Sequence, residues 1–242
     1  MMPEPRYAIY LAPPPCTPLW HFGSKVLGRD AATGLDLHGY APVGIDAATW
    51  RRITMRPRIY GFHATLKAPF RLADGCDRAE LQRALAEFAA SRDAFDLGPL
   101  AVTSIADDGG HGFVALTQAL PSAGLQKLEV DVVNAFDRFR APLTEADRLK
   151  RKPSHLTPRQ RHSLERVGYP FTGPDYRFHM TLSGDIADVH EIADKLADAM
   201  ANDIGTARLN VDALMLFEQP DCSAKFRIIQ SAGMRGAVMA HR

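Results

Sequence analysis

Two eight-residue segments of the chain repeat one another around a histidine. The first, YGFHATLK, begins at Tyr60, and the second, YRFHMTLS, begins at Tyr176. They agree at Tyr, Phe, His, Thr and Leu, in a chain that contains nine histidines. A single histidine on a strand is more often structural than catalytic, but a repeat centred on histidine favours a chemical role for both His63 and His179.

The shared pattern His-x-Thr places an imidazole and a hydroxyl on one side of a β-strand. Residues i and i+2 of a strand point to the same face and lie about 6.6 Å apart. His63 and Thr65 are therefore expected to face one way, as are His179 and Thr181. The alternative for the threonines is that they are simply good strand formers, but their recurrence at one offset favours ligand binding.

Two imidazoles and two hydroxyls around one cleft suit the hydrolysis of a phosphodiester. One neutral imidazole can take a proton from attacking water, and the other, protonated, can donate to the departing ester oxygen. An ordinary histidine pKa of about 6.5 keeps both forms accessible at neutral pH. The hydroxyls would bind the non-bridging oxygens, where charge lies in the transition state. This scheme needs no metal or cofactor, and the sequence contains neither an HxH nor an HExxH motif.

Two further residues extend the predicted outward face of these strands. Lys67 follows Thr65 at the same spacing and is a candidate phosphate ligand, with a solvated lysine as the alternative. Its counterpart is the neutral Ser183, which breaks the symmetry of the pair. Both are predicted to be substrate-binding residues.

The aromatic residues of the repeat are expected to pack. The phenylalanine before each histidine points away from it on a regular strand, so Phe62 and Phe178 should lie in the core. The tyrosines at 60 and 176 are likewise assigned to packing. The basic run Arg148–Lys152 is assigned to a solvated loop, with phosphate or RNA binding as the alternative, and His155 and His162 lie near it.

Composition places the chain among ordinary globular proteins. It has 242 residues, 46% hydrophobic and 24% charged, with a formal net charge of +1. That charge gives no overall attraction to nucleic acid or to an anionic membrane, and no run of about 18 apolar residues could span a bilayer. Three distant cysteines fit a reducing compartment, and the N-terminus lacks the pattern of a signal peptide. The expected location is the cytoplasm, with no membrane partner and an undetermined oligomeric state.

Each copy of the motif is followed by the same series of predicted elements: helix, strand, turn and strand. The predicted strands are Arg6–Pro14, Tyr60–Ala68, Leu100–Asp108, Gly112–Leu120, Phe178–Gly184, Arg208–Glu218 and Lys225–Gly233. The predicted helices are Leu19–Leu27, Ala79–Arg92, Leu125–Phe139 and Val189–Asp203.

The matched order predicts an internal duplication within a single domain of residues 1–242. The fold class is α+β, with two pseudo-symmetric α/β lobes facing a shared cleft. One lobe spans residues 1–123 and the other spans residues 175–242, with a helix and loop over residues 124–174 between them; the lobes could exchange strands.

The residues around both motifs resemble a known family. Paired His-x-Thr strands in two related lobes are similar to those of the two-histidine phosphoesterase superfamily, which includes RNA ligase-like cyclic phosphodiesterases. The segments YGFHATLKAPF, RHSLERVGYPF and YRFHMTLSG most resemble its phosphonate-metabolism-associated branch, encoded with carbon–phosphorus bond cleavage genes. The resemblance covers roughly residues 6–232 and implies antiparallel sheets lining the cleft, catalytic histidines at 63 and 179, and hydroxyl residues at 65 and 181.

The sequence therefore predicts a metal-independent phosphoric diester hydrolase that opens a small sugar or nucleotide cyclic phosphate. One alternative is a phosphodiesterase acting on RNA ends that carry a 2′,3′-cyclic phosphate, which would require a basic track beside the cleft. The other is a module that binds a phosphorylated ligand or RNA without turnover.

Overall fold

The computed structural model describes residues 4–106, 111–151 and 153–237. Across these residues, no helix is both long and apolar enough to cross a membrane.

The strands are β1 (Arg6–Leu11), β2 (Ala64–Phe70), β3 (Phe95–Ala106), β4 (Gly112–Gln118), β5 (Met180–Thr181), β6 (Arg208–Val211), β7 (Ala213–Gln219) and β8 (Arg227–Gly233). The helices are α1 (Pro18–Leu27), α2 (Ala47–Ile53), α3 (Met55–Arg58), α4 (Arg78–Ala90), α5 (Ala123–Phe136), α6 (Glu145–Lys150), α7 (Pro158–Val167) and α8 (Val189–Ile204). Short 3₁₀ turns cover Asp137–Phe139, Pro153–His155 and Gly173–Asp175.

The strands of the described ranges form one antiparallel sheet in the order β6-β3-β4-β5-β2-β1-β7-β8. The α+β class is therefore confirmed. The two motif strands, β2 and β5, are direct neighbours at the centre of this sheet. The expectation of two separate sheets facing one another is corrected, because backbone pairing between β2 and β5 joins the two halves.

The halves of the sheet exchange strands. Helix α4 follows the first motif but packs on β7 and β8, and the strands that follow it, β3 and β4, lie on the side of β5. Helix α8 follows the second motif but packs on β3 and β4, while β7 and β8 lie on the side of β2. Each half is thus built from segments that follow both motifs, and the internal duplication and its lobe boundaries stay a prediction.

The predicted strand Arg208–Glu218 is in fact two strands separated by Asp212. Strand β6 pairs with β3 at one edge, whereas β7 pairs with β1 and β8 near the other edge. Because one residue links strands at opposite ends of the strand order, the sheet must curl until its ends approach each other. Hydrophobic alternation alone does not show which neighbours a strand will pair with.

Other predicted boundaries shift at the motifs and helix ends. The first motif strand begins at Ala64 because Gly61 has φ +80°, a turn conformation that ends extended structure. The second contracts to Met180–Thr181, and the last turn of the helix predicted to end at Phe139 is 3₁₀. Residues 107–110, most of the predicted hairpin turn, lie outside the described residues, but the flanking pair Ala106 and Gly112 confirms the hairpin.

Local sequence explains where the main helices begin and end. Asp77 and Glu80 form a reciprocal capping box at the start of α4, and Thr157 and Gln160 do the same for α7. Helix α1 ends at Gly28, whose φ of 72° suits a residue without a β-carbon. These caps satisfy backbone groups that the helices cannot satisfy themselves.

The core lies between the sheet and the helices, and both motif phenylalanines are in it. Phe62 is fully buried and Phe178 is 6% exposed, as predicted. The Phe62 ring lies against Gly23 of α1 so closely that a β-carbon there would come within 2.3 Å of it. Glycine at position 23 therefore lets α1 approach the segment that carries His63.

A buried carboxyl group on α5 contacts the turn that precedes the second motif. Glu129 of α5 is fully buried; its Oε2 accepts a hydrogen bond from the Gly173 amide at 3.0 Å, while its Oε1 has no hydrogen-bond partner in the described residues. Burial raises the pKa of Glu129 to about 7, although the hydrogen bond from Gly173 and the charge of Lys67 oppose the rise. Folding therefore favours the protonated form of the Glu129 carboxyl between about pH 4.5 and pH 7.

Glu129→Gln should reduce the dependence of stability on pH. A carboxyl whose pKa is raised in the folded state is protonated there but ionised in the unfolded chain, so its contribution to stability falls as pH rises from about 4.5 to about 7. The glutamine variant cannot titrate, so its stability relative to the wild type should rise by up to about 3 kcal/mol between pH 5 and pH 8. Urea unfolding at both pH values measures this change, and a difference between the proteins that stays constant with pH would contradict it.

Candidate active site

The register of the central strands brings the four motif side chains to one place. Ala64 lies opposite Met180 in the antiparallel pair β2–β5. This register sets His63 across from Thr181 and Thr65 across from His179, in cross-strand pairs whose β-carbons are about 5 Å apart. The four side chains therefore lie side by side on one face of the sheet. Ala64 and Met180 point to the opposite face, where both are fully buried.

The His63 imidazole is held on both edges and on one face. Its Nδ1 lies 2.9 Å from the Gly61 carbonyl oxygen, and its Nε2 lies 3.3 Å from Thr65 Oγ1. Since a carbonyl only accepts hydrogen bonds, Nδ1 carries a proton and the neutral ring has its lone pair on Nε2. The Tyr10 ring stacks on the imidazole with centroids 3.7 Å apart.

These surroundings keep His63 neutral. Burial lowers the pKa of His63 to about 4; the Gly61 carbonyl opposes this shift and the nearby His179 adds to it. Tyr10 and Phe217, whose ring centroid lies 6.0 Å from that of His63, supply part of the apolar wall. At neutral pH the Nε2 lone pair is available to accept a proton.

The His179 imidazole repeats the same backbone contact. Its Nδ1 lies 2.8 Å from the Arg177 carbonyl, two residues earlier, just as His63 contacts Gly61. The same argument places a proton on Nδ1 and directs Nε2 away from the backbone. The Phe113 ring lies 5.7 Å from the imidazole at a tilt of 59°.

Two adjoining cavities open onto these side chains. One, of about 290 Å³, is lined by His179 and Thr65 together with aromatic residues. The other, of about 270 Å³, is lined by His63 and Thr181. Each cavity thus holds one of the cross-strand pairs, and Phe113 lines both. A ligand at the junction would meet both imidazoles.

Lys67 lines neither of these two cavities, and its substrate-binding role stays a prediction. Strand β2 contains an extra residue against β1, since Thr65 pairs with Tyr10 but Lys67 pairs with Ile9. Such a bulge breaks the alternation of side chains, and the Lys67 ammonium is turned to Asp137 Oδ1 at 3.2 Å and to the Val133 carbonyl at 3.3 Å. Lys67 is 3% exposed. Burial lowers the pKa of Lys67 to about 8, although the negative charge of Asp137 opposes this shift.

Ser183 is also occupied by the backbone. It lines the cavity of His63, but its Oγ accepts a hydrogen bond from the Val114 amide at 2.9 Å and donates one to the Gly184 carbonyl at 3.0 Å. It is fully buried. These contacts fix the chain after the second motif and leave Ser183 a weaker candidate for substrate binding than the threonines.

The two motif tyrosines differ in position. Tyr60 stacks on Phe226 with centroids 5.3 Å apart, as expected for a packing residue, but it also lines the cavity of His63. Tyr176 is 8% exposed and lines the cavity of His179. Burial raises the pKa of Tyr176 well above its usual value, and nearby Glu129 adds to this effect.

A third cavity, of about 290 Å³, was not foreseen from the sequence. Tyr60 and Arg56 line both this cavity and that of His63. Its basic lining residues come from scattered segments, and only two of them belong to the basic run noted in the sequence. The basic lining residues are Arg6, Arg56, Arg71, Arg140, Lys150 and Arg151.

Part of the basic run at 148–152 contributes to this third cavity. Lys150 and Arg151 line it, whereas Arg148 contacts Glu165 at 3.2 Å. Lys152 lies outside the described residues. His155 and His162 are both exposed.

The fold and site define an α+β protein with paired His-x-Thr segments on neighbouring central strands. The chain belongs to the family described as protein of unknown function (DUF1045), whose model matches residues 65–227.

Two relatives carry the description "Ribose 1,5-bisphosphate phosphokinase PhnN". The protein from Janthinobacterium sp. (strain Marseille) is 36% identical over 226 residues, which cover 91% of this chain and 49% of that protein. The protein from Laribacter hongkongensis (strain HLHK9) is 35% identical over 223 residues, which cover 92% of this chain and 50% of that protein. The chain thus spans about half the length of the curated relatives it matches.

The chain is also similar to the following solved structures, each at 15% identity or lower. E. coli LigT complexed with 3′-AMP has a TM-score of 0.41 at 15% identity, covering 96% of this chain and 99% of that one. A structure described only as a phosphoesterase has a TM-score of 0.40 at 15% identity, covering 96% and 98%. Kluyveromyces marxianus Usb1 has a TM-score of 0.39 at 9% identity, covering 96% and 98%.

Gly61→Ala should destabilise the protein more than Gly75→Ala. Both glycines have φ +80°, which costs an L-residue about 1–2 kcal/mol. A β-carbon at Gly75 would meet nothing within 4 Å, whereas one at Gly61 would lie 2.5 Å from the Ala31 β-carbon. We therefore expect a loss of about 1 kcal/mol at Gly75 and about 2–4 kcal/mol at Gly61. Chemical denaturation measures both losses, and equal values would show that the Gly61 turn is not tightly packed.

Proposed function

We propose that this chain is a metal-independent phosphoric diester hydrolase of the two-histidine phosphoesterase superfamily that opens a cyclic phosphodiester. The observation that carries the proposal is the β2–β5 pairing, which collects two imidazoles and two hydroxyls on one face of the sheet. In both imidazoles Nδ1 is bound to the backbone, so the two Nε2 atoms remain for proton transfer.

His63 is the general base in this proposal. It is neutral at pH 7 because burial lowers its pKa to about 4, and its Nε2 can accept a proton from water as the oxygen attacks phosphorus. The P–O bond to the ring oxygen then breaks, and His179 donates the proton that this oxygen takes up. The reverse assignment would require a proton on His63, which its burial opposes.

Thr65 and Thr181 bind the non-bridging phosphate oxygens in this proposal. Thr65 Oγ1 lies 3.3 Å from His63 Nε2, close enough for its hydroxyl to donate there. A bound phosphate would offer the hydroxyl a charged acceptor, and hydrogen bonds to charged groups are stronger than neutral ones. The exchange would free Nε2 for the attacking water.

A small sugar cyclic phosphate linked to phosphonate degradation is the substrate class that we favour. The resemblance to the phosphonate-metabolism branch supports it, as do relatives named for a ribose bisphosphate kinase. A hydrolase that opens a ribose cyclic phosphate releases a ribose phosphate monoester, a compound of the type named in those relatives.

A nucleotide or RNA end is the second candidate, and the aromatic cavity favours it. Tyr169, Phe171 and Phe113 line the cavity of His179, and base stacking on aromatic side chains is a common means of holding nucleotides. Phe171 is 43% exposed, so its ring is open to such a contact. A comparison of ribose, nucleoside and oligonucleotide cyclic phosphates as substrates separates the two candidates.

Replacing either histidine should abolish most turnover. His63→Ala and His179→Ala should each lower kcat about 10²-fold or more, because each removes one proton transfer. The double variant should lose less than the product of the single losses, since the two groups act as one unit. His162→Ala, an exposed histidine on α7, is the matched control and should retain wild-type turnover.

Turnover is measured on the best substrate of a panel of ribose, nucleoside and oligonucleotide cyclic phosphates, with folding checked by thermal melts. Near wild-type turnover in either folded variant would exclude the acid–base pair. Tight ligand binding in both variants, with no wild-type turnover on any substrate, would instead favour a binding module.

The decline of kcat/KM on the acid side should occur at an unusually low pH. A general base is active when neutral, so kcat/KM should hold as pH falls to about 5 and decline as His63 is protonated near pH 4. Tyr10→Leu removes the ring stacked on His63 and should raise the pKa of His63, moving this decline to higher pH. The profile is measured by kinetics, and an NMR titration of the His63 ring gives the pKa without substrate. A wild-type decline centred near pH 6.5 would contradict the assignment of His63 as a buried base.

A further inference from the structure

The third cavity concentrates positive charge in a protein that has almost no net charge. Six cationic side chains line it against a single carboxylate, that of Asp147, in a chain whose formal net charge is +1. Asp147 is already paired with Arg71 at 2.6 Å. The excess of positive charge is therefore local to this cavity.

Four of these six cations have no carboxylate partner among the described residues. Arg6 donates a hydrogen bond of 2.7 Å to the neutral Gln219 side chain, and the Arg151 guanidinium lies over the Tyr169 ring, 4.9 Å from its centroid. Arg56 and Lys150 are exposed and form no ion pair within the described ranges. Like charges gathered in a concave site repel one another and raise the local concentration of anions.

This cavity adjoins the catalytic one. Tyr60 and Arg56 line both it and the cavity of His63. A substrate whose cyclic phosphate lies between His63 and His179 can therefore extend past Tyr60 into the basic cavity. Its volume of about 290 Å³ suits a compact group rather than a long polymer.

We infer that the basic cavity binds a second phosphate group, a monoester, carried by the substrate at a distance from its cyclic phosphate. A phosphate monoester has a charge of about −1.5 to −2 at pH 7, more than the single charge of a diester in an RNA chain. Several unpaired cations match the monoester better than the diester. This inference rests on the proposed function only for the identity of the group bound at the histidines.

The first test compares two ribose cyclic phosphates, with and without a phosphate on carbon 5. The wild type should show a kcat/KM about tenfold or more higher for the phosphorylated compound, because a charge-assisted contact is worth about this factor. Lys150→Glu should remove most of this advantage and leave kcat/KM for the other compound within about twofold. Arg6→Gln, on the other side of the cavity, should reduce the advantage partly.

Arg148→Gln is the matched control. Arg148 lies in the same basic run as Lys150 but contacts Glu165 and is not among the residues that line the cavity. Its loss should leave both values of kcat/KM unchanged. Equal wild-type values for the two compounds, or equal losses for both in Lys150→Glu, would overturn the inference. Preference for a dinucleotide with a terminal cyclic phosphate over the phosphorylated ribose would also overturn it.

A binding measurement keeps the inference separate from catalysis. Ribose 5-phosphate should bind the wild type detectably by calorimetry, ribose should not, and Lys150→Glu should weaken the binding about tenfold. If neither cyclic compound is hydrolysed but this pattern is seen, the proposed function fails and the phosphate site stands. If ribose 5-phosphate does not bind better than ribose, the phosphate site is wrong whatever the enzyme hydrolyses.

Discussion

The backbone pairing of Ala64 with Met180 is the constraint on which the site depends. This register places both imidazoles and both hydroxyls on the same face of the sheet. A shift of one residue would turn one His-x-Thr pair into the core and bring its neighbours out. Ala64 and Met180 are fully buried, so burial of these two side chains opposes such a shift. Core packing on one face thereby fixes the placement of the histidines and threonines on the other.

Much of this arrangement could be predicted from the sequence because it is local. The repeat identified His63 and His179, and alternation along a strand placed Thr65 beside one and Thr181 beside the other. Helices α1, α4 and α8 were found from their periodicity and their end signals, within one or two residues. Phe62 and Phe178 were assigned to the core by the same alternation, and both are buried.

The rest depends on contacts between distant parts of the chain. Lys67 turns to Asp137 at a bulge, where β2 has one more residue than β1 between two paired positions. Neither strand's sequence shows this bulge by itself. The basic cavity takes residues from β1, α3, α6 and the segments after β2 and α5, so its charge is visible only when they come together. The split at Asp212 likewise follows from pairing with β3 on one side and β1 on the other.

The two similar sequence motifs lie in different surroundings. Both histidines bind a carbonyl two residues earlier, so their ring orientation is the same. Tyr10 stacks on His63 with ring centroids 3.7 Å apart, whereas the Phe113 ring is tilted against His179 with centroids 5.7 Å apart. Burial lowers the pKa of His63 and keeps that ring neutral. The ring of Tyr10 from β1, stacked on one imidazole only, is therefore a clear asymmetry between the two motifs.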